Sequence, residues 1–149
     1  MEIRCKEFST LTIDELYDLL QLRSEIFVVE QNCPYQDLDG IDKFAHHVLI
    51  YKESILQAYA RLIPSGYIFN EHCISRVITK NHGLGHGSIL MNEAILSMRR
   101  IYGQVPIRIS AQTYAINFYR KFGFIPEGDV YLEDGIEHIE MINKSYNSL

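Results

Sequence analysis

Gly83, Gly85 and Gly87 alternate through Asn81-His82-Gly83-Leu84-Gly85-His86-Gly87, between a strand-like segment and an amphipathic helical one. Glycine allows a tight turn and a close backbone approach to a ligand. The first turn of a helix carries unpaired N–H donors and the positive end of the helix dipole. A glycine turn feeding such a helix is an anion site, best suited to a phosphate or pyrophosphate. Ser88 adds a hydroxyl to it. The competing reading is a flexible turn before a glycine-rich helix start. A P-loop ends in Gly-Lys-Ser/Thr, and no lysine precedes Ser88. A Rossmann fingerprint lies in the first βαβ unit, with an acid roughly 20 residues on. This turn is in mid-chain, and Pro106 and Ile107 stand where the acid would be. Both nucleotide readings weaken.

The second constellation is Asn117-Phe118-Tyr119-Arg120-Lys121-Phe122-Gly123-Phe124. Phe118, Phe122 and Phe124 read as the core face of a short helix with a glycine cap. Tyr119 places a hydroxyl beside that face, and a buried tyrosine hydroxyl needs a partner. Its ordinary pKa of about 10 keeps it protonated at neutral pH, able to donate to a more basic leaving group.

The elements that position these residues alternate along the chain. Ile3–Phe8 reads as a strand. Thr12-Ile13-Asp14-Glu15 is a capping box, flanked by Leu11 and Leu16 at the staple positions. A helix follows through Leu16, Leu19, Leu20, Ile26 and Phe27 and fades into Val28-Val29-Glu30. Gln31–Gly40 has loop chemistry and is long for a connector, a property of functional loops. His46–Tyr51 and Ser54–Ile63 form a hairpin around Lys52-Glu53. A strand at about Glu71–Ile78 leads to the glycine turn. The second helix runs from about Ser88 through Leu90, Met91, Ala94, Ile95, Met98 and Ile101, and Gly103 ends it. Ile107–Ala111 is a strand and Ala115–Phe122 a short helix. Two strands close the chain around Asp134-Gly135, a strong hairpin signal. The order β-α-β-β-β-α-β-α-β-β predicts a mixed α/β (α+β) fold.

Composition sets the outer limits. A chain of 149 residues with 47% hydrophobic and 22% charged residues is expected to be one globular domain, 1–149. Its net charge of −5 argues against general nucleic-acid binding, which needs a basic surface. No apolar run reaches the ~18 residues of a membrane span, and the first residues lack an apolar signal core. Three cysteines without Cys-x-x-Cys spacing read as free thiols in a reducing cytoplasm. Cys33 and Cys73 have no histidine at a nucleophile-like spacing. His82 and His86 straddle glycines, so no metal site is expected.

The glycine turn before a helix, then a strand, then Asn-Phe-Tyr-x-x-x-Gly-Phe, resembles the GNAT superfamily of N-acetyltransferases, over about Ile3 to Met141. Leu22–Tyr35, Asp37–Gly40, His46-His47, Ala60-Arg61-Leu62 and Val130–Ile139 resemble its ElaA-like branch. The Leu-Arg-x-x-x-Phe-Val-Val-Glu-Gln stretch is also similar to acyl-homoserine lactone synthases, which share the fold.

The resemblance implies a mainly antiparallel sheet of about seven strands, splayed between strands 4 and 5 and flanked by helices. It implies acetyl-CoA as cosubstrate. The phosphate loop maps to His82, Gly83, Leu84, Gly85, His86, Gly87 and Ser88, with His82 replacing the family's usual Gln or Arg. Pantetheine would lie beside Val77 and Ile78, Asn117 would contact its arm, and Tyr119 would sit near the sulfur as general acid. An amine would attack the thioester directly, with a backbone N–H near Val77 holding the oxyanion. The base is open among Glu30, Asp37, His46, His47 and Glu133. Adjacent His46 and His47 point to opposite faces of a strand, so only one meets a cleft. Arg61 either fixes a substrate carboxylate or is an exposed strand charge. The expected acceptor is a small-molecule or peptide amine, with no nucleic-acid or membrane partner, acted on by a monomer or homodimer. A non-catalytic acyl-CoA-binding module and an acyl-homoserine lactone synthase-like acyltransferase are the competing readings.

Overall fold

Seven strands form one sheet in the order β1-β2-β3-β4-β5-β7-β6 in a computed structural model that describes residues 1–144. The strands are β1 (Glu2–Glu7), β2 (His46–Lys52), β3 (Ile55–Ile63), β4 (His72–Thr79), β5 (Ile107–Gln112), β6 (Ile125–Glu133) and β7 (Ile136–Asn143). Every neighbouring pair is antiparallel except β4 and β5. That parallel pair is joined only at His72–Ile107 and Cys73–Arg108. Beyond Cys73 the two strands diverge, which is the splay the resemblance implies.

Helices cover both faces. α1 (Ile13–Arg23) starts at the capping box: Thr12 Oγ1 accepts from the Glu15 N–H, and Glu15 Oε1 accepts from the Thr12 N–H. Lys6 and Arg4 of β1 also donate to Glu15, so one carboxylate joins the helix start to the sheet edge. α1 lays Leu19, Leu22 and the following Ile26 against Leu49, Tyr51 and Tyr59. On the opposite face, α2 (His86–Tyr102) lays Leu90, Met91, Ala94, Ile95 and Met98 against Val48, Ile50, Ala60, Ile74, Ile109 and Met141. Period-2 alternation on the strands sends consecutive residues to these two cores.

Three local differences from the sequence reading have physical causes. The helix expected to fade after Phe27 instead widens into a π-helical segment at Ser24–Glu30. α2 begins two residues earlier than Ser88, because Gly85 takes a left-handed N-cap (φ +77°) and His86 and Gly87 are already helical. The third helix splits into a 3₁₀ turn at Thr113–Ala115 and a short α3 (Ile116–Arg120). The Asp134-Gly135 turn forms as expected, with both residues at positive φ, which matches strand twist.

Candidate active site

The divergence of β4 from β5 opens a cavity of about 690 Å³. Ile74 to Thr79 form one wall, with Ile109, Ser110 and Gln112 opposite. Tyr114, Ala115, Phe118 and Tyr119 close it on the α3 side. Gln31, Cys33 and Tyr35 of the long loop, with Tyr131, Glu133, Asp134, Ile136, His138 and Glu140 of the β6–β7 hairpin, line the other end.

The strand wall carries a bulge. Tyr59 pairs with Ile78 and Arg61 with Ser75, so Arg76 and Val77 together face Ala60. Arg76 stands at φ +53°. A bulge of two residues against one interrupts the ladder and leaves backbone groups without strand partners. Val77 and Ile78 line the cavity from opposite faces of β4.

The glycine turn lies at the rim. Gly83 and Gly85 have φ of +78° and +77°, a region costly for other residues. A Cβ on either would meet nothing within 4 Å, so the backbone conformation is what requires glycine there. A Cβ on Gly87 would lie 3.4 Å from Phe118 Cζ, so α2 starts in close contact with α3. The cavity touches His82 and Gly87, while Gly83, Leu84, Gly85 and Ser88 are exposed around it. His86 is buried, and its Nδ1 has no hydrogen-bond partner among the described residues. His82 Nε2 lies 3.2 Å from Glu30 Oε1, linking the turn to the end of the π-helical segment.

Tyr119 lines the cavity, with its ring edge-on to Phe118 and Phe124. Burial pushes its hydroxyl well above the ordinary tyrosine range. The hydroxyl therefore stays protonated at neutral pH.

Four sequence candidates are placed elsewhere. Asp37 is buried in a salt bridge, its Oδ2 2.8 Å from Arg23 Nε and its Oδ1 2.7 Å from Arg76 Nε. Arg61 is fully buried and donates to Asp39, Asp42 and Ser75, so neither a free substrate clamp nor an exposed strand charge describes it. His46 lies beside Tyr102 and Glu7, away from the cavity. Asn117 is exposed on α3 and does not line the cavity. Glu30 sits at the rim with His82. Only Glu133 of the base candidates lines the cavity. His46 and His47 do point to opposite faces, but His47 is buried in the protein: Tyr59 Oη donates to its Nδ1 and its Nε2 donates to the Asp42 carbonyl.

These residues form a network of Arg23, Arg61 and Arg76 with Asp37, Asp39 and Asp42. Arg23, Arg61, Asp37 and Asp42 are buried, while Arg76 and Asp39 close the network at its solvent edge. The formal charges cancel, which is what makes burial of the inner four tolerable. The network fastens the long loop onto β3 and β4, and so builds a cavity wall. Further along the same loop, Cys33 Sγ donates to the Asp134 carbonyl at 3.3 Å and Gln112 donates to Gln31.

The network makes stability depend on pH. Burial holds the His47 imidazole below its ordinary 6.5. The unfolded chain therefore takes up that proton first, and the stabilisation is present above about pH 6.5 and lost as pH falls below it. Burial alone would raise the Asp39 carboxyl, but hydrogen bonds from Arg61 and the Ile41 N–H outweigh it and hold it at about 2. Its share is present above its ordinary 3.8 and lost as pH falls toward 2. Melting temperature followed against pH should fall in two limbs. His47→Gln should remove the first limb and leave the second; an unchanged upper limb would reject the assignment.

The profile of the Acetyltransferase (GNAT) domain family matches residues 23–145. The chain belongs to the GNAT acetyltransferase family. Within this family it is ElaA-like: it is 44% identical over 137 residues to the protein ElaA of Escherichia coli, covering 89% of this chain and 90% of that protein. The crystal structure of E. coli ElaA superposes with a TM-score of 0.89 at 41% identity, over 95% of this chain and 98% of that one. An acyl-CoA N-acyltransferase from Pseudomonas aeruginosa superposes at 0.91 with 39% identity, over 96% and 99%. A GNAT acetyltransferase from Elizabethkingia anophelis, solved with acetyl-CoA bound, shares the fold at a TM-score of 0.62 and 17% identity, over 95% and 96%. The GNAT fold supports an acyl-CoA-dependent acyltransferase. Among the described residues no group of three His, Cys, Asp or Glu is arranged to hold a metal ion, and no helix is long and apolar enough to cross a membrane.

His138 is among the cavity residues that sequence reasoning left without a role, and it shares a face of β7 with Glu140. The signal available was its place within the Val130–Ile139 stretch of ElaA-like resemblance.

Proposed function

We propose that this chain, as a single domain, transfers an acetyl group from acetyl-CoA to a primary amine by direct attack within a ternary complex. The observation that carries the reading is a cavity between two splayed strands, with a glycine turn and helix start at one end and Tyr119 in its wall. The residues present fit the cosubstrate. Apolar walls at Val77, Ile78 and Phe118 suit pantetheine, and the N–H groups of Gly83 to Ser88 suit a pyrophosphate. His86 keeps at that helix start a buried ring nitrogen without a partner among the described residues.

Acetyl-CoA supplies an activated thioester carbonyl. The chain's own groups do the rest. The walls hold amine and carbonyl together, which lowers the entropic part of the barrier. A backbone N–H freed by the bulge at Arg76–Val77 stabilises charge developing on the carbonyl oxygen. Tyr119 donates a proton to the departing sulfur. Asn117, although exposed, precedes the cavity-lining Phe118 and Tyr119 on α3 and is assigned to the pantetheine arm at the mouth.

Calorimetric titration with acetyl-CoA, propionyl-CoA, NAD and ATP tests the reading. Micromolar binding of acetyl-CoA, followed by turnover on a panel of spermidine, glucosamine, lysine and a free-N-terminus tripeptide, is the expected result. Preference for NAD or ATP would reject the cosubstrate. Binding without turnover on any amine would favour the non-catalytic module.

A further inference from the structure

We infer that His138 Nε2 is the general base that takes the proton from the attacking amine, an assignment that rests on the acetyltransferase reading above. Four observations lead there. His138 lines the cavity and is 7% exposed. Its Nδ1 lies 2.7 Å from the Ile136 carbonyl oxygen. A carbonyl only accepts, so Nδ1 carries the hydrogen and the neutral ring keeps its lone pair on Nε2. That nitrogen faces Glu133 Oε2 at 3.5 Å, a carboxylate placed to stabilise the imidazolium once formed. The Tyr131 ring stacks on the imidazole and fixes its plane, and the Tyr131 hydroxyl is itself hydrogen-bonded to Ser110.

The other groups around the site are committed. Glu140, two residues along the same face, accepts from Arg108 at 3.0 Å. Glu133 presents its carboxylate to His138 itself. His82 is paired with Glu30 at the glycine turn, the phosphate end of the cavity. Tyr131 and Glu133 of β6 and Gln112 of β5 lie beside His138, and Glu140 on its own strand, Cys33, Tyr35 and Asp134 line the same cavity.

The proton count closes. As the amine nitrogen bonds to the acyl carbon, its N–H bond breaks and the proton passes to Nε2. The C–S bond breaks with its electron pair on sulfur, which takes the Tyr119 proton. The tyrosinate regains a proton from the imidazolium through solvent. Amine plus thioester gives amide plus thiol.

His138→Asn separates this role from a structural one. Its amide NH₂ stands where Nδ1–H stood and keeps the bond to Ile136, while nothing replaces Nε2. Measured on the amine panel above, kcat/KM should fall about 10²–10⁴-fold, with acetyl-CoA affinity and melting temperature unchanged. Added imidazole should restore part of the rate to His138→Gly. A kcat/KM within about threefold of wild type, or no rescue of His138→Gly by imidazole, would overturn the assignment. ¹⁵N NMR of the free protein gives a readout independent of any acceptor: neutral His138 with its hydrogen on Nε2 would overturn the assignment while leaving the acetyltransferase reading intact. Failure of the wild-type protein to acetylate any amine would overturn both.

Discussion

Asp42→Ala should cost about 3–5 kcal/mol of unfolding free energy, the range for breaking one partner out of a buried ion network. Asp42 Oδ1 accepts from Arg23 Nη1 at 2.7 Å and from Arg61 Nη1 at 2.9 Å. Both guanidiniums are fully buried. Each keeps a second carboxylate, Asp37 for Arg23 and Asp39 for Arg61. The loss therefore leaves the network with one positive charge too many, and that charge has no water to face. Against a total stability of about 5–15 kcal/mol this is a large share. At about 2–4 °C per kcal/mol for a chain of this size, the melting temperature should drop by roughly 6–20 °C. Urea unfolding at pH 7 measures it directly. A loss below about 1 kcal/mol would mean the loop carries its charges as a surface does.

Tyr119→Phe should lower kcat by about 10²–10⁴-fold while acetyl-CoA affinity and stability stay as they are. The substitution removes one oxygen and leaves the ring between Phe118 and Phe124. The raised hydroxyl is a weak acid, and a thiolate in water, with an ordinary value of about 8.5, is a poor taker of its proton. The cavity changes that comparison. Cys73, which lines the same cavity, is pushed up to about 12 by burial. A thiolate released into this environment is made basic by the same loss of solvent, so transfer from Tyr119 becomes feasible. Steady-state kinetics with a parallel binding titration separates the outcomes. An unchanged kcat would remove Tyr119 from the acid role.

Local chemistry was legible in the sequence where partners are close in the chain. Thr12 and Glu15 form their capping box, Asp134-Gly135 turns its hairpin, and the glycines precede α2. The order of elements follows from such signals. The splay came from resemblance to a known family, since no periodicity distinguishes a joined strand pair from a divergent one. Roles set by distant partners were not legible. Arg61 reads as a strand cation open to a ligand, but its carboxylates come from a loop 19 and 22 residues away in sequence. Asp37 reads as a loop acid and is bonded to Arg76, 39 residues on. His138 carried no role of its own in the sequence, and the opening between β4 and β5 turns its face of the sheet into a cavity wall.

That opening has a mechanical consequence. The sheet consists of two plates, β1 to β4 and β5 with β7 and β6, riveted by two register pairs at one end and backed by α2. A ligand lying in the gap touches both plates and acts as a second rivet. Its contribution to stability grows as RT ln(1 + [L]/Kd), so the plates stiffen with ligand concentration and not with sequence. With the thioester of the proposed function as that ligand, resistance to unfolding and to proteolysis would rise with its supply.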